Sequence, residues 1–150
     1  LDPFKDKDKL GELFVGDRKD HLQHLILPLL EKNALVLCDR FKYSTIAYQS
    51  VQGIPIQKII DLHLGLKVPD LVFIFDLPAA VAVERMQSRS LNVEKFEKLE
   101  FFEKVRSQFL SLPELFPAEN IKVIDASFSI AEIFDQVKKE LLPLVEKALS

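Results

Sequence analysis

The sequence predicts an α/β fold, a parallel sheet flanked by helices, from three observations. Residues 35–38, 71–76 and 121–125 form short apolar runs. They are continuously aliphatic or aromatic rather than alternating, which is the pattern of strands buried on both faces. Each run terminates at an acid, Asp39, Asp76 or Asp125, and helical periodicity separates one run from the next, as in βαβ units.

With 150 residues and 48% hydrophobic composition, the chain is long enough to bury a core and is read as a single domain over residues 1–150. A net charge of −3 leaves no basic footprint for a duplex, so nucleic acid is not an expected partner. The single Cys38 excludes an intramolecular disulfide and cysteine-rich zinc motifs. Lying in an apolar run, it is expected to be a small buried hydrophobe. No apolar run approaches the roughly 18 residues of a membrane span, and no signal-peptide pattern is present. A soluble, cytoplasmic protein without a membrane partner is expected. The chain starts at Leu1 and its only methionine is Met86, so the natural N-terminus is expected to lie upstream.

Residues 1–9 read as a solvated lead-in. A helix follows from Leu10 to about Lys32, with Leu22, Leu25, Ile26, Leu29 and Leu30 on one face. Pro28 is expected to kink or break it, because proline removes a backbone donor. Lys32-Asn33 is a C-cap candidate, and the first strand occupies about 35–38. A short helix is expected over 44–49, ended by Gly53. Pro55 begins another that runs through Ile59 and Ile60 to about Leu64. The second strand ends at Asp76, and a helix runs from Pro78 to about Arg89. Residues 90–94 are polar and aperiodic. Phe96 to about Leu112 is helical, with Phe101, Phe102, Val105 and Phe109 inward. The third strand ends at Asp125. Ser129 and Glu132 have capping-box spacing at the start of the last helix, which Pro143 bends or divides.

Asp39-Arg40 is the leading candidate for chemistry. In open α/β sheets, ligands bind beyond the carboxyl ends of the strands. Arginine offers phosphate a two-pronged fork, and a neighbouring carboxylate accepts a proton or holds the water shell of a metal ion. The same pair also suits a surface ion pair or a helix cap. Asp76 and Asp125 lack the adjacent cation and are read as caps of the following turns. Arg85 and Arg89 lie four apart beside the polar loop, where they serve either a helix end or a phosphate-clamping lid. Phe14 and Arg18 have the same spacing, and periodicity alone places Phe14 in the core. His21, His24 and His63 are read as structural or solvated. None of the four glycines fits a phosphate-loop or dinucleotide pattern.

Taken together, these segments resemble the thymidylate kinase family. Leu13-Phe14-Val15-Gly16-Asp17-Arg18-Lys19-Asp20-His21 is similar to its L-F-x-x-D-R-x-x-H helix. Asp39-Arg40-Phe41 resembles its D-R-Y/F motif, with phenylalanine as a mild departure. Ser44 to Gln49 resembles S-x-x-A-Y-Q, and Pro69 to Asp76 resembles P-D-x-x-x-x-L-D. Ser88-Arg89-Ser90 falls at the lid, approximately residues 88–97, and Phe101 to Arg106 resembles the helix after it. The resemblance covers nearly the whole chain in order.

It implies a nucleoside monophosphate kinase of the P-loop class, passing the γ-phosphoryl of ATP with Mg²⁺ to dTMP. Phe14 would stack on thymine and Arg18 would bond its edge. Arg40 would hold the acceptor phosphate, and Asp39 would support magnesium, through water, or the attacking phosphate. Ser44, Tyr48 and Gln49 would line the acceptor pocket, Tyr48 crowding the 2′ position. Arg89, with Arg85, would approach the transferred group as the lid closes. The family is usually a homodimer. It also carries a central strand, a phosphate loop and a further strand ahead of the residues present here. The 150 residues alone are therefore expected neither to bind ATP nor to phosphorylate thymidylate. The rival readings are a kinase for another nucleoside monophosphate or a deoxynucleoside, and a non-catalytic α/β binding domain without the loop.

Overall fold

The computed structural model describes residues 7–87 and 95–149. The chain divides into two compact units, one ending at Val68 and one beginning at Pro69.

In the first unit, helix α1 (Lys7–His21) passes into a π-helical turn (Leu22–Ile26) and then into α2 (Leu27–Leu30). This is the expected helix, and Pro28 does not divide it. Proline has no N–H for the carbonyl four residues back, and its ring crowds that carbonyl. The chain widens by one residue just before it, and Leu27 N–H bonds the Leu22 carbonyl. Such π-turns re-register a helix around an interruption. Asn33 ends the run at φ 57°. Its N–H bonds Leu30 O at 2.9 Å and Ala34 N–H bonds Leu29 O at 3.1 Å, a Schellman cap.

Residues 35–38 depart from expectation. They are extended but belong to no ladder among the described residues. Leu35 is 66% and Leu37 82% exposed, and Cys38 is exposed rather than buried. A strand becomes a buried strand only when a neighbour supplies hydrogen bonds and cover. No described residue does so here.

Helix α3 (Phe41–Val51) begins three residues earlier than expected, directly after Arg40. Gly53, at φ 91°, ends it with a second Schellman cap: Gly53 N–H bonds Ser50 O and Ile54 N–H bonds Gln49 O. Pro55 is the N-cap of α4 (Ile56–Leu62). Ile46 and Ile59 are fully buried between these helices, with Val15 and Leu22 of the first helical run also in the core.

The second unit is a βαβ arrangement. Strands β1 (Val72–Asp76) and β2 (Ile121–Asp125) pair in parallel, with α5 (Ala79–Gln87) and α6 (Lys95–Leu115) between them in sequence and α7 (Ile130–Leu149) after them. Two of the three expected strands are thus present among the described residues. Ile74, Val83, Val105, Leu112 and Ile124 form the core, while Phe75 and Val123 remain exposed. Ser129 and Glu132 form the expected capping box: Ser129 N–H bonds Glu132 Oε2 at 2.9 Å and Glu132 N–H bonds Ser129 Oγ at 3.4 Å. Among the described residues no helix is long and apolar enough to cross a membrane.

The two strand-end acids have different fates. Asp125 caps the following turn through the Ser127 N–H at 2.8 Å, as expected. Asp76, which stands beside it in register, accepts from the Leu77 backbone and in addition receives both prongs of Arg106 at 2.7 and 2.8 Å. That fork ties α6 to the carboxyl end of β1. The Arg106 hydrogen bond holds the Asp76 carboxyl below its usual pKa, against opposition from partial burial and from Asp125. Its stabilisation is therefore complete above the unfolded carboxylate value of about 3.9 and is lost as pH falls through the lower folded value. Asp76→Asn is expected to cost about 1 kcal/mol at neutral pH and to remove that share of the acid sensitivity. Urea unfolding at pH 7 and pH 3 measures both.

Candidate active site

The first unit carries most of the site residues expected from sequence. Asp39 and Arg40 are exposed between the extended segment and α3. Phe41 N–H bonds the Asp39 carbonyl at 2.8 Å, with Arg40 between them at φ 65° and ψ −48°. This is a γ-turn of the rare positive-φ kind. Phe41 follows at φ 43°. Left-handed backbone in non-glycine residues costs of order 1–3 kcal/mol each and collects at ligand clamps. The turn is held by burial of the Phe41 ring and by Ser44 N–H on the Arg40 carbonyl. It leaves the Arg40 guanidinium 5.9 Å from the Tyr48 ring centroid. The cation therefore stands alongside α3, near Tyr48.

Phe14 and Arg18 lie one turn apart on α1. Phe14 is 52% exposed, so the core placement that periodicity alone gave it is wrong. An apolar residue repeats at helical spacing whether its stripe meets the protein or a ligand. Arg18 is partly buried and held from three sides. Its Nη1 lies 2.8 Å from His63 Nε2, its Nη2 donates to Thr45 Oγ1 at 3.1 Å, and its central carbon is 5.6 Å from the Phe41 ring centroid. Burial pushes its pKa down, opposed by Cys38 and Asp17, and it remains a cation as guanidinium groups do in proteins.

His63 is buried, with its Nδ1 2.7 Å from the Ile59 carbonyl. A carbonyl only accepts and a guanidinium only donates. Nδ1 therefore carries the hydrogen, Nε2 accepts from Arg18, and the ring is neutral. Burial lowers its pKa below the ordinary imidazole value. The Ile59 hydrogen bond opposes this, and the charges of Arg18, Lys42 and Lys19 add to it.

Gln49, on α3, is 5% exposed. Its Oε1 is buried without a hydrogen-bond partner among the described residues. Gly11 of α1 lies against it, and a Cβ there would come 3.0 Å from Oε1. The glycine permits the close approach of α1 and α3.

The first unit thus contains Phe14, Arg18, Asp39, Arg40, Ser44, Tyr48 and Gln49, on α1, on α3 and in the turn before α3. Arg85 is exposed on α5 in the second unit, and Arg89 lies outside the described residues, as does most of the expected lid. Among the described residues no group of three metal-ligating side chains occurs. A lone Asp39 carboxylate fits magnesium, which keeps several waters and is held by one or two carboxylates plus substrate phosphates. Sequence reasoning missed His63 and Thr45 as partners of Arg18. They stand 45 and 27 residues from it, and no local spacing signals either pairing.

The thymidylate kinase family profile matches residues 5–137. A probable thymidylate kinase of Pyrococcus abyssi is 36% identical over 88% of this chain and 65% of its own length. One from Thermococcus kodakarensis is 37% identical over 83% and 60%. The thymidylate kinase of Leptospira borgpetersenii is 41% identical over 75% and 54%. The chain spans under two thirds of the length of these relatives.

Proposed function

Because the chain belongs to the thymidylate kinase family, we propose that the whole protein phosphorylates dTMP to dTDP with ATP, and that the first unit described here holds the acceptor. The observation that carries this reading is the gathering of an exposed ring, a braced guanidinium and a buried unpartnered amide oxygen on two adjoining helices, α1 and α3.

Each group has a part for a thymine nucleotide. Phe14 offers a face for stacking. Arg18 donates to a carbonyl oxygen of the base. Gln49, whose Oε1 is buried against Gly11, is assigned to the wall of the acceptor pocket. Tyr48 crowds the sugar and Ser44 lies beside it in the pocket, while Arg40 neutralises the acceptor phosphate. An oxygen of that phosphate attacks the γ-phosphorus of ATP, the bond to the bridging oxygen breaks, and ADP leaves with the pair of electrons. Such transfers need positioning and charge neutralisation more than covalent help. Magnesium, when bound, neutralises the donor phosphates, and Asp39 would hold part of its water shell. Arg89 and Arg85 are assigned to the lid. The reading includes a cytoplasmic homodimer. Exposed Leu25 and Leu29 on one helical run, and Leu64 after α4, support pairing through this unit.

The test is an acceptor panel of dTMP, dUMP, dCMP, dGMP and AMP with the full-length protein, read as ADP release. A kcat/KM for dTMP at least about tenfold above the others is expected, corresponding to roughly 1.4 kcal/mol of discrimination. Equal turnover of several acceptors, or none of dTMP, would refute the assignment.

A further inference from the structure

The brace on Arg18 has a consequence for how the acceptor base is bound. A free arginine side chain samples many rotamers, and about 2 kcal/mol of entropy opposes fixing it. Here two hydrogen bonds, from α1 to Thr45 on α3 and to His63 at the end of α4, fix the fork before any ligand arrives. They leave the remainder of its five N–H donors for the ligand. We propose that His63, with Thr45, is a positioning residue for the nucleobase, its neutral ring presetting the Arg18 guanidinium for the base edge. This rests on the reading that Arg18 meets the base, and it adds a residue with no contact of its own to the acceptor.

The brace works only with the ring neutral. A second hydrogen, at Nε2, would set N–H against N–H and place two cations within hydrogen-bond distance. The Ile59 carbonyl alone favours the protonated ring, and the charged groups that bear on it are cationic: Arg18 and Lys19 on α1, and Lys42 on α3. They resist protonation together with burial, so the brace persists at neutral pH and releases on acidification below the usual imidazole range.

Two substitutions separate positioning from mere structure. His63→Gln keeps an acceptor near the Nε2 position and does not titrate. His63→Asn keeps a donor near Nδ1 for Ile59 but has nothing that reaches Arg18. In the full-length protein, His63→Asn is expected to raise KM for dTMP about tenfold, the loss of one charge-assisted hydrogen bond, with kcat within about twofold. His63→Gln is expected to stay within about threefold of wild type. The acceptor phosphate itself titrates near pH 6, so wild type and His63→Gln are compared across pH 5–8. The acid rise in KM should be steeper in wild type and reduced to the phosphate's own contribution in His63→Gln. Thermal midpoints establish that each variant is folded. The proposal is overturned if both variants keep wild-type KM, if both lose KM and kcat alike, or if the two pH profiles coincide. A wild-type protein that does not turn over dTMP overturns the acceptor reading and this inference with it, whereas an active wild type with an unaltered His63→Asn overturns the inference alone.

Discussion

Replacing Arg40 by alanine is expected to lower kcat/KM for dTMP by about 10²–10³-fold in the full-length protein, roughly 2.7–4 kcal/mol of lost charge stabilisation. The size follows from what Arg40 is and where it stands. Its guanidinium is exposed, lies by Tyr48 at the start of α3, and has Asp39 as its sequence neighbour. Arg40→Lys retains the charge without the planar fork and should recover only part of the rate. Arg40→Gly separates chemistry from backbone. The residue sits at φ 65°, which glycine adopts without penalty. That variant should therefore unfold at the same or a higher urea concentration than Arg40→Ala, yet be equally inactive. Steady-state kinetics and urea midpoints on the three proteins decide it. An Arg40→Ala enzyme within about threefold of wild type removes Arg40 from the site.

The largest expected effect on stability is at Ile46. It is 0% exposed and lies on α3 between Thr45, which braces Arg18, and Ala47, also fully buried. Truncation to alanine removes apolar contacts and leaves a cavity that close-packed helices fill only in part. Ile→Ala changes of this kind cost about 2–5 kcal/mol, a large part of a typical domain stability of 5–15 kcal/mol. The urea midpoint should fall accordingly, and KM for dTMP should rise well below the melting temperature, since Ser44, Thr45, Tyr48 and Gln49 share the loosened helix. A cost under about 1 kcal/mol would show that α3 is not the scaffold of the site.

The local elements were largely legible because their causes are local. Continuous apolar runs marked β1 and β2. Asn33 and Gly53 marked helix ends because the left-handed caps found there suit them, and Ser129 with Glu132 marked a helix start. The D-R pair and the Phe14–Arg18 spacing were visible as side-chain types at fixed offsets. Two readings failed at the same kind of point. Residues 35–38 looked like a buried strand and Phe14 looked like core, yet Leu35, Leu37, Cys38 and Phe14 are exposed. Periodicity reports that a face is apolar and leaves open what covers it.

The sequence by itself determined where the chain turns, which segments are helical or extended, and which residues form the family's motif. Tertiary structure alone decided that Asp76 is held by Arg106, and that Arg18 is braced by Thr45 and a neutral His63. Hydrogen bonds within a few residues are set by backbone geometry and can be read from spacing. Those that join residues 27 to 45 positions apart arise only when packing brings their helices together.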